Sequence, residues 1–256
     1  MQSSWTHAGI DGCKAGWWAW LTNEHGDWQG HLYPTLAEFW AQHGHTLQVV
    51  LIDMPIGLLP RGEASQRPVD LWAKSHLPGR KSSIFSPPAR PALEVLATTP
   101  DYRAVCAANH AAVGKMISKQ AYYISFKIRE LDELLLGHPR ARAVFGETHP
   151  ELAFGYLGQG QLPPPKKTKE GLAARMNLLA PRLPQLHTLY STARRQYLKK
   201  QVQDDDLLDA LALAVLATTP LQSFPHHHAT DPKGLPMRMV LPQDFEAVMP
   251  KPLPKK

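Results

Sequence analysis

Carboxylates stand at the ends of the predicted strands and at the start of one predicted helix. Five share this placement: Asp11, Asp53, Glu147, Asp206 and Asp209. Because the carboxyl ends of neighbouring parallel strands meet at one edge of a sheet, we expect these side chains to converge. Converging carboxylates repel one another, and oxygen-only ligands select Mg²⁺ or Mn²⁺ rather than zinc. Two such ions can activate a water and stabilise a leaving oxygen, so the pattern predicts phosphoryl-transfer chemistry.

Each of these carboxylates also has a structural interpretation. Asp11 and Asp53 can hydrogen-bond the amides of a turn. The run Asp204–Asp206 suits a helix N-cap and the positive end of the helix dipole. Asp209 lies inside the predicted helix among apolar residues, where capping does not explain it, which favours a functional role. Residues Thr148–Glu151 fit a capping box, which assigns their glutamate to the start of a helix.

The elements that must position these carboxylates follow an α/β pattern. Three apolar runs separated by turn residues predict strands: Trp5–Ile10, Trp17–Thr22 and Trp28–Tyr33. Thr35 can cap a short amphipathic helix, Leu36–His43, and the continuous run Gln48–Asp53 predicts a strand buried on both faces. The predicted order is therefore strand, strand, strand, helix, strand, which is a meander followed by a crossover.

The rest of the chain, after Asp53, is predicted to be richer in helix. Residues 54–140 are expected to form a helical and loop insertion over one face or edge of the sheet, with a long helix capped by Ser118. Later elements are predicted at Ala143–Glu147 (strand), Pro150–Tyr156, Lys167–Leu179, Leu186–Lys200 and Asp204–Ala217 (helices), and Arg238–Leu241 (edge strand). We predict one domain over residues 1–245 and a disordered, basic, Pro-rich tail over residues 246–256.

Composition narrows the class of protein. The chain of 256 residues carries 28 Lys and Arg against 22 Asp and Glu, and its net charge of +6 weakly favours a polyanionic partner. Two cysteines exclude a disulfide scaffold and a cysteine-based zinc site. The most apolar stretch, Leu207–Ala217, is too short to cross a bilayer, and no targeting segment is visible. We therefore expect a soluble, cytoplasmic protein without a membrane partner, and its oligomeric state stays open.

Basic residues near the predicted site are candidates for phosphate contacts, with a solvated basic face as the alternative. Four are predicted to bind nucleic acid: Arg80, Lys81, Lys119 and Lys166. Tyr122 and Tyr123 could stack on bases, but they fit the apolar pattern of a helix and are interpreted as core residues.

Several blocks, in order along the chain, resemble the family catalogued as domain of unknown function 429. These blocks are Ala8–Trp17, Ile52–Gly57, Ser82–Pro88, Ile117–Ala121, Glu147–Glu151, Asp205–Ala210 and Lys233–Met237. The resemblance spans about residues 8–242. Members of this family are predicted nucleases, and the resemblance implies an RNase H-like mixed sheet flanked by helices.

The resemblance also implies roles for single residues. In RNase H-like nucleases an acid lies on the first strand, another on the fourth and others on a late helix. These positions correspond here to Asp11, to Asp53, and to Asp206 with Asp209. The last block also resembles the final helix of Holliday-junction resolvases. Glu147 and His149 lie in a block particular to the 429 family and would assist by ligation or proton transfer.

Three functions are compatible with these patterns. The first is an Mg²⁺- or Mn²⁺-dependent nuclease that cleaves DNA or RNA by metal-activated water, with Asp11 bridging the metals. The second is a nucleic-acid-binding module of the same fold without catalysis. The third is an ATP-dependent phosphotransferase, because sugar kinases and actin-like ATPases share the core and its Asp-Gly turn. The absence of a second copy of the domain in the sequence argues against the third.

Overall fold

The meander predicted at the start of the chain is present in the computed structural model, which describes residues 4–62 and 64–249. The strands β1 (His7–Cys13), β2 (Gly16–Thr22) and β3 (Trp28–Tyr33) pair antiparallel in sequence order. The first strand is longer than predicted, so Asp11 lies within β1, opposite Trp18 of β2, rather than at its end. A two-residue turn at positions 14–15 joins β1 to β2.

The predicted crossover follows the meander. Helix α1 (Leu36–His43) begins at Thr35, whose side chain accepts a hydrogen bond from the Glu38 amide at 3.2 Å. Strand β4 (Val49–Ile52) then pairs parallel with β1, and its last three residues are fully buried. The predicted opening order of strand, strand, strand, helix, strand is confirmed.

Five α-helices and one short 3-10 helix separate β4 from the next strand. They are α2 (Pro68–Ser75), the 3-10 helix Lys81–Ser83, α3 (Arg90–Thr98), α4 (Tyr102–Val113), α5 (Lys119–Gly137) and α6 (Pro139–Val144). Ser118 caps α5 as predicted and accepts a hydrogen bond from the Ala121 amide at 3.1 Å. Ile128 and Leu131 of α5 pack in one hydrophobic cluster with Ile10 of β1 and Ile52 of β4. Helices α3 and α5 therefore cover one face of the sheet, whereas Val69 and Ala73 of α2 pack in the hydrophobic cluster on the other face.

The second half of the chain completes the sheet and covers its other face. Its elements are β5 (Phe145–Glu147), α7 (Pro150–Leu157), α8 (Lys169–Leu179), α9 (Leu186–Gln196), α10 (Asp204–Ala217), β6 (Leu221–Phe224), β7 (Met239–Pro242) and α11 (Phe245–Val248). The strand order is β3-β2-β1-β4-β5-β7-β6, with parallel pairs at β1–β4, β4–β5 and β5–β7. The chain is thus an α/β fold with a mixed sheet of seven strands over the described residues.

Several of the predicted elements require correction. The strand predicted from Ala143 starts at Phe145, because α6 continues through Val144. The strand predicted at the sheet edge, now β7, lies inside the sheet, because the unpredicted β6 pairs with its outer side. The sequence of β6 places two polar residues between Leu221 and Phe224, and only Phe224 is fully buried. It therefore lacks the apolar–polar alternation that predicts a strand.

The first residues of the predicted disordered tail are ordered. Residues Phe245–Val248 form α11, and both Phe245 and Met249 are buried against the core. Residues 250–256 lie outside the described part of the chain. None of the helices within residues 4–62 and 64–249 combines the length and the apolar character needed to cross a bilayer.

Helix α10 lies directly on β1 and sets the geometry of the candidate site. A β-carbon built on Gly9 would stand 2.1 Å from the Ala214 amide nitrogen and 2.2 Å from the Ala210 carbonyl oxygen. Only glycine allows a helix to approach a strand this closely. Because side chains two residues apart on a strand share a face, Asp11 points to the same side of the sheet as Gly9, toward α10.

Candidate functional site

Two aspartates of the site come from adjacent parallel strands. Asp11 lies in β1 with 7% of its surface exposed, and Asp53 directly follows β4. The Asp53 amide donates a hydrogen bond to the Ile10 carbonyl at 3.0 Å, which fixes Asp53 beside the residue that precedes Asp11. The strand register therefore brings these two carboxylates together.

Two further aspartates come from the first turns of α10. Gln203 is the N-cap of this helix, and the Asp206 Oδ2 atom accepts a hydrogen bond from the Gln203 amide at 2.8 Å. Asp206 thus closes a capping box, which is the structural role predicted for at least one of the acids at this helix start. Asp209 is one turn further, is 1% exposed and makes no capping contact.

The pKa values show that the four aspartates act on one another. Burial first, and then Asp53, Asp209 and Asp206, raise the pKa of Asp11 well above its ordinary value. Burial raises the pKa of Asp53 to about 7 and that of Asp209 to about 6, in both cases against the opposing charge of Lys166. Burial also raises the pKa of Asp206. Asp11, Asp53, Asp206 and Asp209 are hereafter the aspartate cluster.

Lys166, predicted to bind nucleic acid, is the counter-ion of this cluster. Its Nζ atom lies 2.6 Å from Asp209 Oδ2 and 3.5 Å from Asp205 Oδ2. Burial alone would lower the pKa of Lys166, but Asp209 and Asp11 together raise it above its ordinary value. The ammonium group therefore stays charged and offsets part of the repulsion among the carboxylates.

The donor chemistry of the cluster fits Mg²⁺ or Mn²⁺. All of its side-chain donors are carboxylate oxygens, and the buried Asp209 Oδ1 atom has no hydrogen-bond partner among the described residues. Within residues 4–62 and 64–249, however, no group of three or more His, Cys, Asp or Glu residues is arranged to hold a metal ion. A metal ion bound by these carboxylates would therefore require rotation of side chains within the cluster.

Glu147, predicted as a metal ligand, belongs to a different buried network. Its Oε1 and Oε2 atoms accept hydrogen bonds from Arg67 at 2.6 and 2.9 Å, and Oε2 also accepts one from the Ile56 amide at 2.8 Å. Arg67 also pairs with Asp70. Burial raises the pKa of Glu147, and the charge of Arg67 opposes this effect. In this arrangement both oxygens of Glu147 bind the segment that follows β4 and hold it against β5. Neither oxygen contacts the aspartate cluster.

His149, predicted to assist catalysis, is the N-cap of α7. Its Nδ1 atom accepts a hydrogen bond from the Glu151 amide at 3.2 Å, so its Nε2–H group donates to the Ser83 carbonyl at 3.2 Å. Burial lowers the pKa of His149 and keeps the ring neutral. The capping box predicted from Thr148 is therefore wrong, because the cap is His149 and the Thr148 hydroxyl donates to the Val240 carbonyl at 2.6 Å.

Glu151 is a functional candidate that the sequence pattern assigned only to capping. Its carboxylate pairs with Arg175 at 2.5 Å and with Arg80 at 3.0 Å, and its charge helps to raise the pKa of Asp53. Arg80 also donates to the Pro163 carbonyl at 2.7 Å, so this predicted nucleic-acid contact has protein partners. The arginines that fix Glu151 lie far from it in sequence, and no local pattern marks them.

The other predicted contacts lie at the surface. Lys81 opens the 3-10 helix and Lys119 opens α5, and both side chains are exposed. Tyr122 is buried as predicted, whereas Tyr123 is 69% exposed and does not belong to the core.

A second lysine near the cluster was not predicted. The Lys127 ammonium donates to the Gly16 carbonyl at 2.6 Å and lies 4.4 Å from the centre of the Trp17 ring. Burial lowers its pKa, while Asp11 and Asp206 are among the charges that oppose this effect. Lys127 thus approaches the cluster from α5, on the opposite side of the sheet from α10. No local pattern sets Lys127 apart from the other charged residues of α5.

Comparison with known proteins gives one match. A family model described as a protein of unknown function (DUF429) matches residues 9–227. No curated protein and no solved structure matches the chain.

Proposed function

The chain belongs to the DUF429 family, and we propose that it is a divalent-metal-dependent nuclease that hydrolyses phosphodiester bonds in DNA or RNA. The observation that carries this proposal is the aspartate cluster. Three elements, β1, the end of β4 and the start of α10, bring four aspartates close enough to raise one another's pKa values. A site that is this rich in buried carboxylates favours a bound cation.

The residues of the cluster have distinct roles in this proposal. Mg²⁺ or Mn²⁺, when bound, supplies an activated water and charge stabilisation for the leaving oxygen. Asp11, Asp53 and Asp209 would hold the metal, with Asp206 sharing its carboxylate between the metal and the Gln203 amide. Lys166, released from Asp209, would contact a phosphate oxygen of the substrate as a point charge. Neutral His149 and the Glu147 network would keep the surrounding loops in place.

The test is a cleavage assay on single-stranded, duplex, hybrid and branched substrates with Mn²⁺ or Mg²⁺. We expect cleavage by the wild type and at least a hundredfold less by Asp11→Asn, in line with the loss of an electrostatic catalytic group. Asp101→Asn is the matched control, because Asp101 is exposed at the start of α4, where asparagine caps a helix as well as aspartate does. Equal cleavage by the wild type and Asp11→Asn would overturn the proposal.

One observation favours a second candidate, a nucleic-acid-binding protein without catalysis. The Lys166 ammonium already lies 2.6 Å from Asp209, so the cluster has a counter-ion without a metal. In that case nucleic acid would bind in a salt-dependent way with or without EDTA, and no metal ion would support turnover. The same substrates, measured for binding as well as cleavage, separate the two candidates.

A further inference from the structure

A concave surface rich in lysine lies next to the aspartate cluster. It encloses about 650 Å³ between the segment that leads into α8 and the segment that leads into α10. Five lysines line it: Lys166, Lys167, Lys169, Lys199 and Lys200. We call this surface the lysine groove.

The lysine groove carries a net positive charge. Its acidic lining residues are Asp204 and Asp205, so five lysines face two carboxylates. Asp205 pairs with Lys167 at 2.8 Å, and Asp204 pairs with Lys199 at 2.5 Å. These pairs hold the lysines along the groove but leave it with an excess of three positive charges.

Two of the lysines are free to contact a ligand. Lys169 and Lys200 are exposed, and neither forms an ion pair within the described part of the chain. They lie on different segments, one in the first turn of α8 and the other before α10, so they flank the groove from two sides. A ligand that contacts both must extend along the groove.

The groove is continuous with the aspartate cluster. Lys166 lines the groove and also binds Asp209, and Asp205 lies within 3.5 Å of the same ammonium. A polyanion in the groove therefore reaches the cluster through Lys166, which it can draw away from Asp209.

We propose that the lysine groove binds the sugar–phosphate backbone of a nucleic-acid strand and leads the strand to the aspartate cluster. This inference rests on the proposed function and adds the path of its substrate. Ammonium groups are point charges that neutralise successive phosphates without reading bases, so the groove predicts binding independent of sequence.

The test compares two double variants that lose the same charge. Lys169→Gln with Lys200→Gln removes the two lysines without ion-pair partners. Arg103→Gln with Lys233→Gln is the matched control, because Arg103 lies in α4 and Lys233 pairs only with Glu94 at the surface. Binding of a labelled single-stranded oligonucleotide is measured in EDTA by fluorescence anisotropy over a range of salt concentrations.

The groove variant should bind severalfold more weakly than the wild type. The slope of log affinity against log salt should fall in magnitude by about 1.4, which corresponds to two lost phosphate contacts on a single strand. The control should keep the wild-type affinity and slope. A groove variant indistinguishable from the wild type, or a wild type that does not bind, overturns the inference.

Three further outcomes identify the occupant of the groove or separate the groove from the proposed nuclease. If polyglutamate displaces the oligonucleotide at comparable concentration and depends on the same lysines, the occupant is an acidic polypeptide and the nucleic-acid assignment is overturned. Because the measurement is made in EDTA, it is independent of catalysis. Binding that depends on these lysines, without cleavage in the presence of any metal, would support the proposed role of the groove and refute the nuclease activity. Cleavage by a protein whose binding does not depend on these lysines would support the nuclease activity and refute the role of the groove.

Discussion

At the scale of single residues, the ion pair between Asp209 and Lys166 determines how much of the cluster's negative charge is compensated by the protein itself. One oxygen of Asp209 lies 2.6 Å from the Lys166 ammonium, and the other is buried without a hydrogen-bond partner among the described residues. A buried acceptor of this kind carries a desolvation cost, which a cation can remove. Lys166 compensates only one oxygen of Asp209, and we propose that a metal ion, when bound, replaces Lys166 and compensates both.

Replacing Lys166 by glutamine should therefore strengthen metal binding and weaken cleavage. The ammonium competes with a metal for Asp209, so its loss should lower the Kd for Mn²⁺ by about tenfold, or about 1.4 kcal/mol. Isothermal titration with Mn²⁺ measures this change. Lys74→Gln is the control, because Lys74 hydrogen-bonds only Gln66 at 2.7 Å. Unchanged or weaker Mn²⁺ binding in Lys166→Gln would contradict competition between the ammonium and the metal.

The raised pKa values predict a pH dependence with a definite sign. The pKa of Asp53 is about 7 in the folded protein, against an ordinary value of 3.8. Between these values the folded state holds a proton that the unfolded state has released, so this residue's contribution to stability falls as the pH rises toward 7. Without metal, Asp53→Asn should raise the free energy of unfolding at about pH 8 by about 1–2 kcal/mol. Urea unfolding of both proteins over a pH series measures this difference. If the free energy of unfolding of the wild type changes with pH in the same way as that of Asp53→Asn, the raised pKa of Asp53 is contradicted.

At the scale of elements, the site depends on the contact between β1 and α10. The strand supplies Asp11 and the helix supplies Asp206 and Asp209, so a small shift of the helix separates the carboxylates. The bare backbone of Gly9 sets this distance, since a β-carbon there would come within 2.2 Å of two backbone atoms of α10.

Gly9→Ala should therefore disrupt both the fold and the site. Overpacking of this kind should lower the free energy of unfolding by about 3 kcal/mol, and the displaced helix should abolish the stabilisation by Mn²⁺. Thermal unfolding with and without Mn²⁺ measures both effects. Gly137→Ala, where the added carbon meets open space at the end of α5, should unfold like the wild type. A Gly9→Ala protein with wild-type stability would show that the helix does not lie this close.

The Arg67–Glu147 network belongs to the same scale, because it joins the segment after β4 to β5. Glu147→Gln removes one charge of a buried pair and should lower the free energy of unfolding by about 3 kcal/mol. Because Glu147 lies outside the aspartate cluster, the increase in melting temperature caused by Mn²⁺ should remain. If Glu147→Gln unfolds normally but no longer responds to Mn²⁺, Glu147 is a ligand and its structural role is refuted.

Sequence patterns predicted the elements better than the contacts between them. The bounds of α1, β3 and α10 follow from local periodicity and caps, and the structure has them as predicted. The ion pair between Glu147 and Arg67 was not predictable, since Arg67 lies 80 residues away and leaves no local pattern. The same holds for the Lys166–Asp209 pair, whose members are 43 residues apart. Periodicity predicts which face of a helix or strand is buried. Ion pairs between distant residues depend instead on how separate segments pack against one another.

At the scale of the whole molecule, charge is divided between two neighbouring regions. The chain has 28 basic and 22 acidic residues, yet four of the acids lie together in the aspartate cluster. The lysine groove lies directly beside them. The modest net charge of +6 therefore conceals a site rich in carboxyl groups next to a surface rich in lysine. This division suits a polyanion that is held by one region and cleaved at the other.

The proposed metal site can be observed in a crystal structure of the protein soaked in Mn²⁺, with anomalous data collected at the manganese edge. We expect anomalous density among Asp11, Asp53 and Asp209, with the Lys166 ammonium displaced from Asp209. Crystals of Asp11→Asn, soaked in the same way, should lack this density. A wild-type crystal with no anomalous density in the cluster, and with Lys166 still bound to Asp209, would contradict the assignment of a metal site.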